Sequence, residues 1–171
     1  MDTSYQYYLY NWQEELSMMC MSPSRVNLPY TLYFASFGVG GLLTFPLLDK
    51  LGRLRSHWVF STLALLAQAL IVFVPNYMAH TIGYALLGFL MAKQALCYTW
   101  AFDLLMKDHK SCALTFIHLL DFSTCAIGGL YFTMSDQPDW KSLIYPFFYL
   151  GLLGYLMCLL LLPESPKWLL L

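Results

Sequence analysis

The stretch Pro163-Glu164-Ser165-Pro166-Lys167-Trp168-Leu169 follows a long apolar run and combines two prolines with two charged side chains. A second compact charged stretch, Asp49-Lys50-Leu51-Gly52-Arg53-Leu54-Arg55, joins the first two apolar runs of the chain. Charged and helix-breaking residues between apolar runs are typical of the ends of membrane helices, where side chains leave the hydrocarbon. The two stretches therefore predict a protein built from membrane-spanning helices.

The composition indicates that lipid is the solvent. The chain has 171 residues, is 59% hydrophobic and only 11% charged, and has a mean hydropathy of +0.56. A soluble domain carries about 25% charged residues. We therefore expect this chain to be surrounded by a lipid bilayer, which is its partner in that sense. The net charge of -1 leaves no basic patch for nucleic acid. The five cysteines form no C-x-x-C pair, which favours free thiols over a metal site.

Five apolar runs follow a polar and aromatic segment at residues 1–28. Each run is near the roughly 20 residues that cross a bilayer as a helix, and a helix satisfies its own backbone hydrogen bonds in lipid. We therefore predict an all-α, multi-pass bundle of five transmembrane helices over residues 29–171, preceded by an interfacial arm at 1–28. The runs lie at about 29–48, 57–75, 79–104, 112–134 and 142–163.

The basic residues gather at alternate connections between the runs. They are Lys50, Arg53 and Arg55 in the first connection, Lys107 and Lys110 in the third, and Lys167 in the C-terminal stretch. Only Arg25 and Lys141 fall on the other side. The positive-inside rule then puts the C-terminus on the cytoplasmic side, or on the matrix side if the membrane is the mitochondrial inner membrane, with the N-terminus outside.

Several of these stretches resemble the major facilitator superfamily, with the sugar porters and organic-ion transporters as the closest branches. The family loop Gly-x-x-x-Asp-Arg-x-Gly-Arg-Arg/Lys matches residues 45–55, and the family sequence Pro-Glu-Ser-Pro-Arg-Trp-Leu matches residues 163–169 with Lys167 in place of Arg. Asp103 and Lys110 stand at the spacing of a family Glu and Arg. The pair Trp140-Lys141 is similar to the Trp-Arg pair that opens the sixth family helix.

The resemblance implies that the five runs are the second to sixth helices of a six-helix transporter half. A first helix and a C-terminal half are then expected to lie on another chain or to be lost. Family members move a sugar or small organic ion by alternating access, with the site between the halves near the midplane. Two departures weaken the case for a working gate: Phe45 replaces the family Gly before the loop, and Tyr84 stands where the family has Arg.

Two groups of ionisable residues are candidate sites. The first is an inner-face charge network, in which carboxylates and cations at helix ends pair across one membrane face. The alternative is ordinary positive-inside loops with incidental acids. In the family, such a network closes the inner side of the transporter. Its members are Asp49, Arg53, Arg55, Asp103, Lys110, Glu164 and Lys167.

The second group is an intramembrane polar cluster of Lys93, His118 and Asp121. An ionisable group at membrane depth costs roughly 2.5–3.5 kcal/mol on insertion scales, so it faces protein or water. His118 and Asp121 are three residues apart and share a helix face. The cluster could bind a substrate or relay a proton. A Lys93–Asp121 pair that joins two helices is the structural alternative, and both interpretations stand at this point.

Glycines form small-residue faces on three of the predicted helices, and we expect them to let helices pack closely, with a substrate path as the alternative. They are Gly38, Gly40 and Gly41, then Gly128 and Gly129, then Gly151 and Gly154.

The sequence contains no metal-ligand spacing, phosphate loop or nucleophile elbow. We therefore expect neither an enzyme nor a cofactor. The leading hypothesis is a non-transporting accessory subunit of a larger membrane complex, which contacts other membrane protein subunits. The alternative is part of a split or longer transporter that moves a small organic solute.

Overall fold

The computed structural model describes residues 11–91, 98, 105, 109–135 and 139–161, and only the backbone of Phe45, Leu48, Asp49 and Arg53. Within these ranges the chain forms helices and no β-strand. A short 3-10 helix, Met18–Cys20, separates the first two α-helices. The α-helices are α1 Trp12–Glu15, α2 Pro23–Leu51, α3 Arg53–Phe73, α4 Tyr77–Met91, α5 Lys110–Met134 and α6 Trp140–Leu161.

Three of these helices are long and apolar enough to cross a membrane. They are the segments Leu54–Phe73, Lys110–Met134 and Trp140–Leu161, with hydropathies of 1.6, 1.5 and 1.9. Each coincides with one of the predicted runs. Helix α4 is a shorter apolar helix of 15 residues. The all-helical prediction is therefore confirmed for the described ranges, and three of the predicted spans are helices of the required length.

The helix boundaries follow local chemistry. Helix α2 begins at Pro23, whose fixed φ suits the first helical position, and so starts upstream of the predicted residue 29. Gly52 alone separates α2 from α3, with a φ of 84° that a side chain would strain. The side-chain oxygen of Asn76 accepts from the Met78 amide at 2.8 Å and caps the start of α4.

Helix α4 packs closely against α2 through small residues. A Cβ added to Gly88 would overlap the Tyr33 carbonyl, and one added to Gly40 would overlap the Phe89 carbonyl. The Ser36 hydroxyl donates to the Ala85 carbonyl at 2.7 Å across this contact. Small residues let two membrane helices approach until their backbones touch. The expectation of close packing is confirmed at Gly40.

Helix α3 covers the other side of α4, where Phe60, Ala64 and Leu90 form the buried core cluster. Helix α6 lies along α3. The Phe73 ring meets the Phe148 ring edge-on at a centroid distance of 5.5 Å, and the hydroxyls of Thr62 and Tyr155 are 2.6 Å apart. The order across the bundle is therefore α2, α4, α3 and α6.

Helices α5 and α6 leave most of their surface uncovered by the described chain. None of the residues in the apolar window of either helix is buried. Phe122 on α5 is 73% exposed and Leu160 on α6 is 83% exposed. Apolar area of this extent marks contact with lipid or with another protein. Both helices therefore present apolar surface that the described chain does not cover.

Candidate functional site

The segment before α2 folds onto the ends of three helices. Helices α2, α4 and α6 begin at this end of the bundle, and α1 lies across their first turns. Aromatic and charged side chains meet there, and we call the group the Trp12 cluster. Its members are Trp12, Glu15, Tyr30, His80, Tyr84, Trp140 and Lys141.

Trp12 is the aromatic centre of this cluster. Its ring stacks on the His80 ring at a centroid distance of 6.2 Å and an interplanar angle of 13°, and it meets the Tyr30 ring edge-on at 5.6 Å. The Tyr84 ring lies 6.5 Å away on the same side. Asn11 fixes the turn that carries Trp12, because its side-chain oxygen accepts from the Glu14 amide at 3.1 Å. Trp12 thereby joins α1 to both α2 and α4.

Glu15 joins the same segment to α6. Its Oε1 accepts from Lys141 Nζ at 2.5 Å, and its Oε2 accepts from Trp140 Nε1 at 3.1 Å. Two adjacent residues of α6 therefore engage both oxygens of one carboxylate. The Glu15 side chain is only 12% exposed, so water screens this charge-assisted contact less than it would a surface pair.

His80 lies beneath the two tryptophans. It is 2% exposed, with the Trp12 ring stacked on it and the Trp140 ring edge-on to it, both at centroid distances of 6.2 Å. Its Nδ1 atom is buried and has no hydrogen-bond partner among the residues that the structure describes. A polar ring held between two indoles ties α4 to both the N-terminal segment and α6. The Trp12 cluster therefore connects the N-terminal segment to the first turns of three helices.

The pairing of these residues is not evident in the sequence pattern. Residues 1–28 are predicted there as an interfacial arm, and Lys141 is predicted on the same side of the membrane as Arg25. The acidic pair Glu14-Glu15 could have indicated this contact. The positive-inside prediction puts that pair on the same membrane face as the cation Lys141. Opposite charges on one face of a bundle are candidates for pairing.

The described members of the predicted inner-face charge network lie away from the Trp12 cluster, at the other ends of their helices. At the α2–α3 junction, the backbone of Asp49 and that of Arg53 lie on either side of Gly52. Arg55 is exposed in the first turn of α3, and Lys110 is the first residue of α5. The other three members lie outside the described residues, so the network stays a prediction. They are Asp103, Glu164 and Lys167.

The predicted intramembrane polar cluster is described in part. His118 and Asp121 both lie on an exposed face of α5. The Tyr98 hydroxyl donates to Asp121 Oδ2 at 2.6 Å, and the Tyr98 ring lies 5.4 Å from the His118 ring. Lys93 lies outside the described residues, so its pairing with Asp121 stays a prediction. The contact with Tyr98 was not foreseen.

A cavity of about 240 Å³ lies between α3, α4 and α6, and we call it the α3–α6 cavity. A second cavity of about 170 Å³ continues toward the Trp12 cluster and shares Gln68 and Leu87 with the first. Of the described residues that line either cavity, none belongs to α5. The polar residues of the α3–α6 cavity are His57, Ser61, Gln68 and Tyr155, and its apolar walls include Ala64, Leu65 and Leu87.

Two glycines of α6 line the α3–α6 cavity without contacting a neighbouring helix. A Cβ added to Gly151 or Gly154 would meet nothing within 4 Å, and the same holds for Gly38, Gly41 and Gly129. The expectation that these five glycines bring helices of this chain together is wrong. At Gly151 and Gly154 the absent side chain leaves open space in the cavity wall.

Comparison of the chain with protein-family models gives no match, and comparison with curated proteins gives none either.

Proposed function

We propose that this chain is a non-transporting subunit of a larger membrane complex, with a fold derived from one half of a major-facilitator transporter. The observation that carries the proposal is the position of Asp121. This carboxylate lies near the middle of α5, on a face that the rest of the chain leaves exposed. In a membrane, an ionisable side chain at this depth faces protein or water, and a helix of another subunit would supply the protein.

The energetic reason is the depth of Asp121. At 1.5 Å per residue, Asp121 lies about 16 Å from the first residue of α5, which is close to half of a hydrocarbon core of about 30 Å. A carboxylate facing lipid at that depth costs roughly 2.5–3.5 kcal/mol on insertion scales. The hydrogen bond from Tyr98 offsets part of this cost but leaves the face exposed. A helix of another subunit that covers this face of α5 would shield the carboxylate from lipid.

The proposed architecture has five spanning helices. Helix α2 has 29 residues and is about 43 Å long, which exceeds the bilayer core. Helix α4 would complete its span beyond Met91, in residues outside the described ranges. In this arrangement the Trp12 cluster faces outward, and the α2–α3 junction faces the cytoplasm or the matrix. The positive-inside distribution of basic residues supports that orientation.

The surroundings of Tyr84 support a structural role over transport. At this position the resemblance to the superfamily leads us to expect Arg. Here the tyrosine ring packs against Tyr30 at 5.6 Å and Trp12 at 6.5 Å. The Tyr84 ring, packed under the N-terminal segment, thus stands in place of the arginine charge that a transporter of this family would use. Transport by a split transporter remains the alternative, because the motifs at residues 45–55 and 163–169 are those of its family.

The proposal is tested by site-specific photocrosslinking in native membranes. A photoreactive side chain at Phe122, beside Asp121, should give one discrete higher-mass adduct with another membrane protein. The matched control carries the same group at Leu160 on α6, which is also largely exposed and whose helix has no charged side chain other than Lys141. Crosslinks to lipid alone at both positions would contradict the proposal.

A second measurement addresses transport directly. The purified chain is reconstituted in vesicles, and uptake of a labelled sugar and a labelled organic cation is followed. We expect no uptake above that of empty vesicles. Uptake that Asp49→Ala abolishes would overturn the subunit role and favour the transporter alternative.

A further inference from the structure

We propose that the α3–α6 cavity holds one acyl chain of an anionic phospholipid whose headgroup lies at the α2–α3 junction. This lipid site is separate from the proposed subunit role and requires only that the chain is in a membrane. Three observations support it: the length of the cavity, the glycines in its wall and the charge at one of its ends.

The cavity has the length of one lipid leaflet. On α3 its lining runs from His57 to Gln68, which corresponds to about 16 Å along the helix axis. Half of a hydrocarbon core of about 30 Å is about 15 Å. A chain that enters beside His57 would therefore reach Gln68 near the bilayer midplane. The cavity has a volume of about 240 Å³, and most of its lining residues are apolar or glycine, which suits part of an acyl chain.

The glycines of α6 keep the cavity open. Gly151 and Gly154 lie in its wall, and a Cβ at either position would enter free space. The contrast is Gly88, where a Cβ would overlap a backbone carbonyl of the neighbouring helix. A glycine at a packed position lets two helix backbones touch. Gly151 and Gly154 instead leave room between α3 and α6 for a molecule that is not part of the chain.

The ends of the cavity differ in charge. The end at His57 adjoins the α2–α3 junction, where residues 49–55 contain three cations and one carboxylate, Asp49. Lys50 and Arg55 are both exposed there. The excess of positive charge suits a headgroup phosphate at the membrane surface. Beyond His57 and Ser61 the wall residues Ala64, Leu65 and Leu87 are apolar and suit methylene groups, while Gln68 and Tyr155 are the further polar residues of the lining.

The experiment uses phosphatidylglycerol with a photoreactive diazirine in the middle of one acyl chain. The full chain is reconstituted in vesicles that contain a trace of this lipid, illuminated and digested, and the labelled peptides are identified. We expect label on the α3 and α6 peptides that line the cavity. Phosphatidylcholine with the same labelled acyl chain is the matched lipid, and we expect it to label these peptides less.

Filling the cavity should remove the label. The double variant Gly151→Leu/Gly154→Leu puts two side chains into free space, so we expect labelling of the cavity peptides to fall about tenfold. Gly129→Leu on α5 is the control, because it also adds a side chain to free space but lies away from the cavity. Equal labelling of the cavity peptides in the filled variant and in the Gly129→Leu control would overturn the acyl-chain site.

The headgroup is tested separately with Lys50→Gln/Arg55→Gln. This variant should lose the preference for phosphatidylglycerol over phosphatidylcholine while the cavity peptides are still labelled. It alters two exposed side chains outside the packed core, so it decides the proposal even if the cavity-filling variant does not fold. An unchanged preference, or equal labelling by both lipids in the unaltered chain, would overturn the anionic headgroup.

Discussion

Glu15 and Lys141 form an ion pair of 2.5 Å that joins the segment before α2 to the first turn of α6. The two residues are far apart in sequence. Lys141 directly follows Trp140, and Glu15 accepts a hydrogen bond from that tryptophan. The Glu15 carboxylate also accepts from Trp140, so loss of its charge would weaken two contacts at once. The pair thus connects the two ends of the described chain.

Removing the charge of Glu15 should weaken the contact between the segment before α2 and the first turn of α6. We expect Glu15→Gln to lower the free energy of unfolding by about 1–3 kcal/mol, because Lys141 would stay half-buried with a weaker partner. Thermal unfolding in detergent measures the change. A double-mutant cycle with Lys141→Gln is the control: the two effects should be less than additive by about 1 kcal/mol. Strict additivity would show that the pair contributes no coupling.

Truncating Trp12 should release the N-terminal segment. Trp12→Ala removes ring contacts with His80, Tyr30 and Tyr84, and we expect a loss of about 2–4 kcal/mol. Labelling of Cys20 by a maleimide should also become faster, since the adjoining turn loses its attachment. Trp58→Ala is the matched control, because Trp58 is an exposed residue of α3 outside the Trp12 cluster. Equal effects of the two variants would contradict the role of Trp12.

Glycine substitutions should separate packed from open positions. Gly88→Ala pushes a methyl group against the Tyr33 carbonyl, so we expect α2 and α4 to move apart at a cost of about 1–3 kcal/mol. Gly38→Ala adds the same group to free space on α2 and should leave the unfolding temperature unchanged or slightly raised. Unfolding of the two variants in the same detergent tests this. Similar destabilisation by both would be incompatible with the packing of α4 on α2.

Replacing Asp121 should change membrane insertion and assembly in opposite directions. In a glycosylation-based insertion assay of α5, Asp121→Leu should favour the inserted form by about 3 kcal/mol. In native membranes the same substitution should reduce the crosslink from the Phe122 position, because the partner loses its polar contact. Phe122→Leu is the control for insertion, since it exchanges one apolar side chain for another. An undiminished crosslink would show that Asp121 does not recruit the partner.

The sequence was sufficient for the fold class. Three of the predicted runs are helices of spanning length, because a helix in lipid needs only about 20 apolar residues in succession. The first helix starts earlier than predicted, at Pro23, since proline at the first helical position follows a local rule that hydropathy ignores. The prediction of close packing held at Gly40 and was wrong at Gly151 and Gly154.

The amino-acid sequence by itself determined that this chain is helical and apolar, because those properties are sums over neighbouring residues. The tertiary structure alone decided that Glu15 meets Lys141, that His80 lies between two indoles, and that Gly154 faces a cavity. These relationships depend on how each helix is rotated about its axis and which helix lies beside it. Neither quantity is encoded in the hydropathy of one segment, since both follow from the packing of all the segments together.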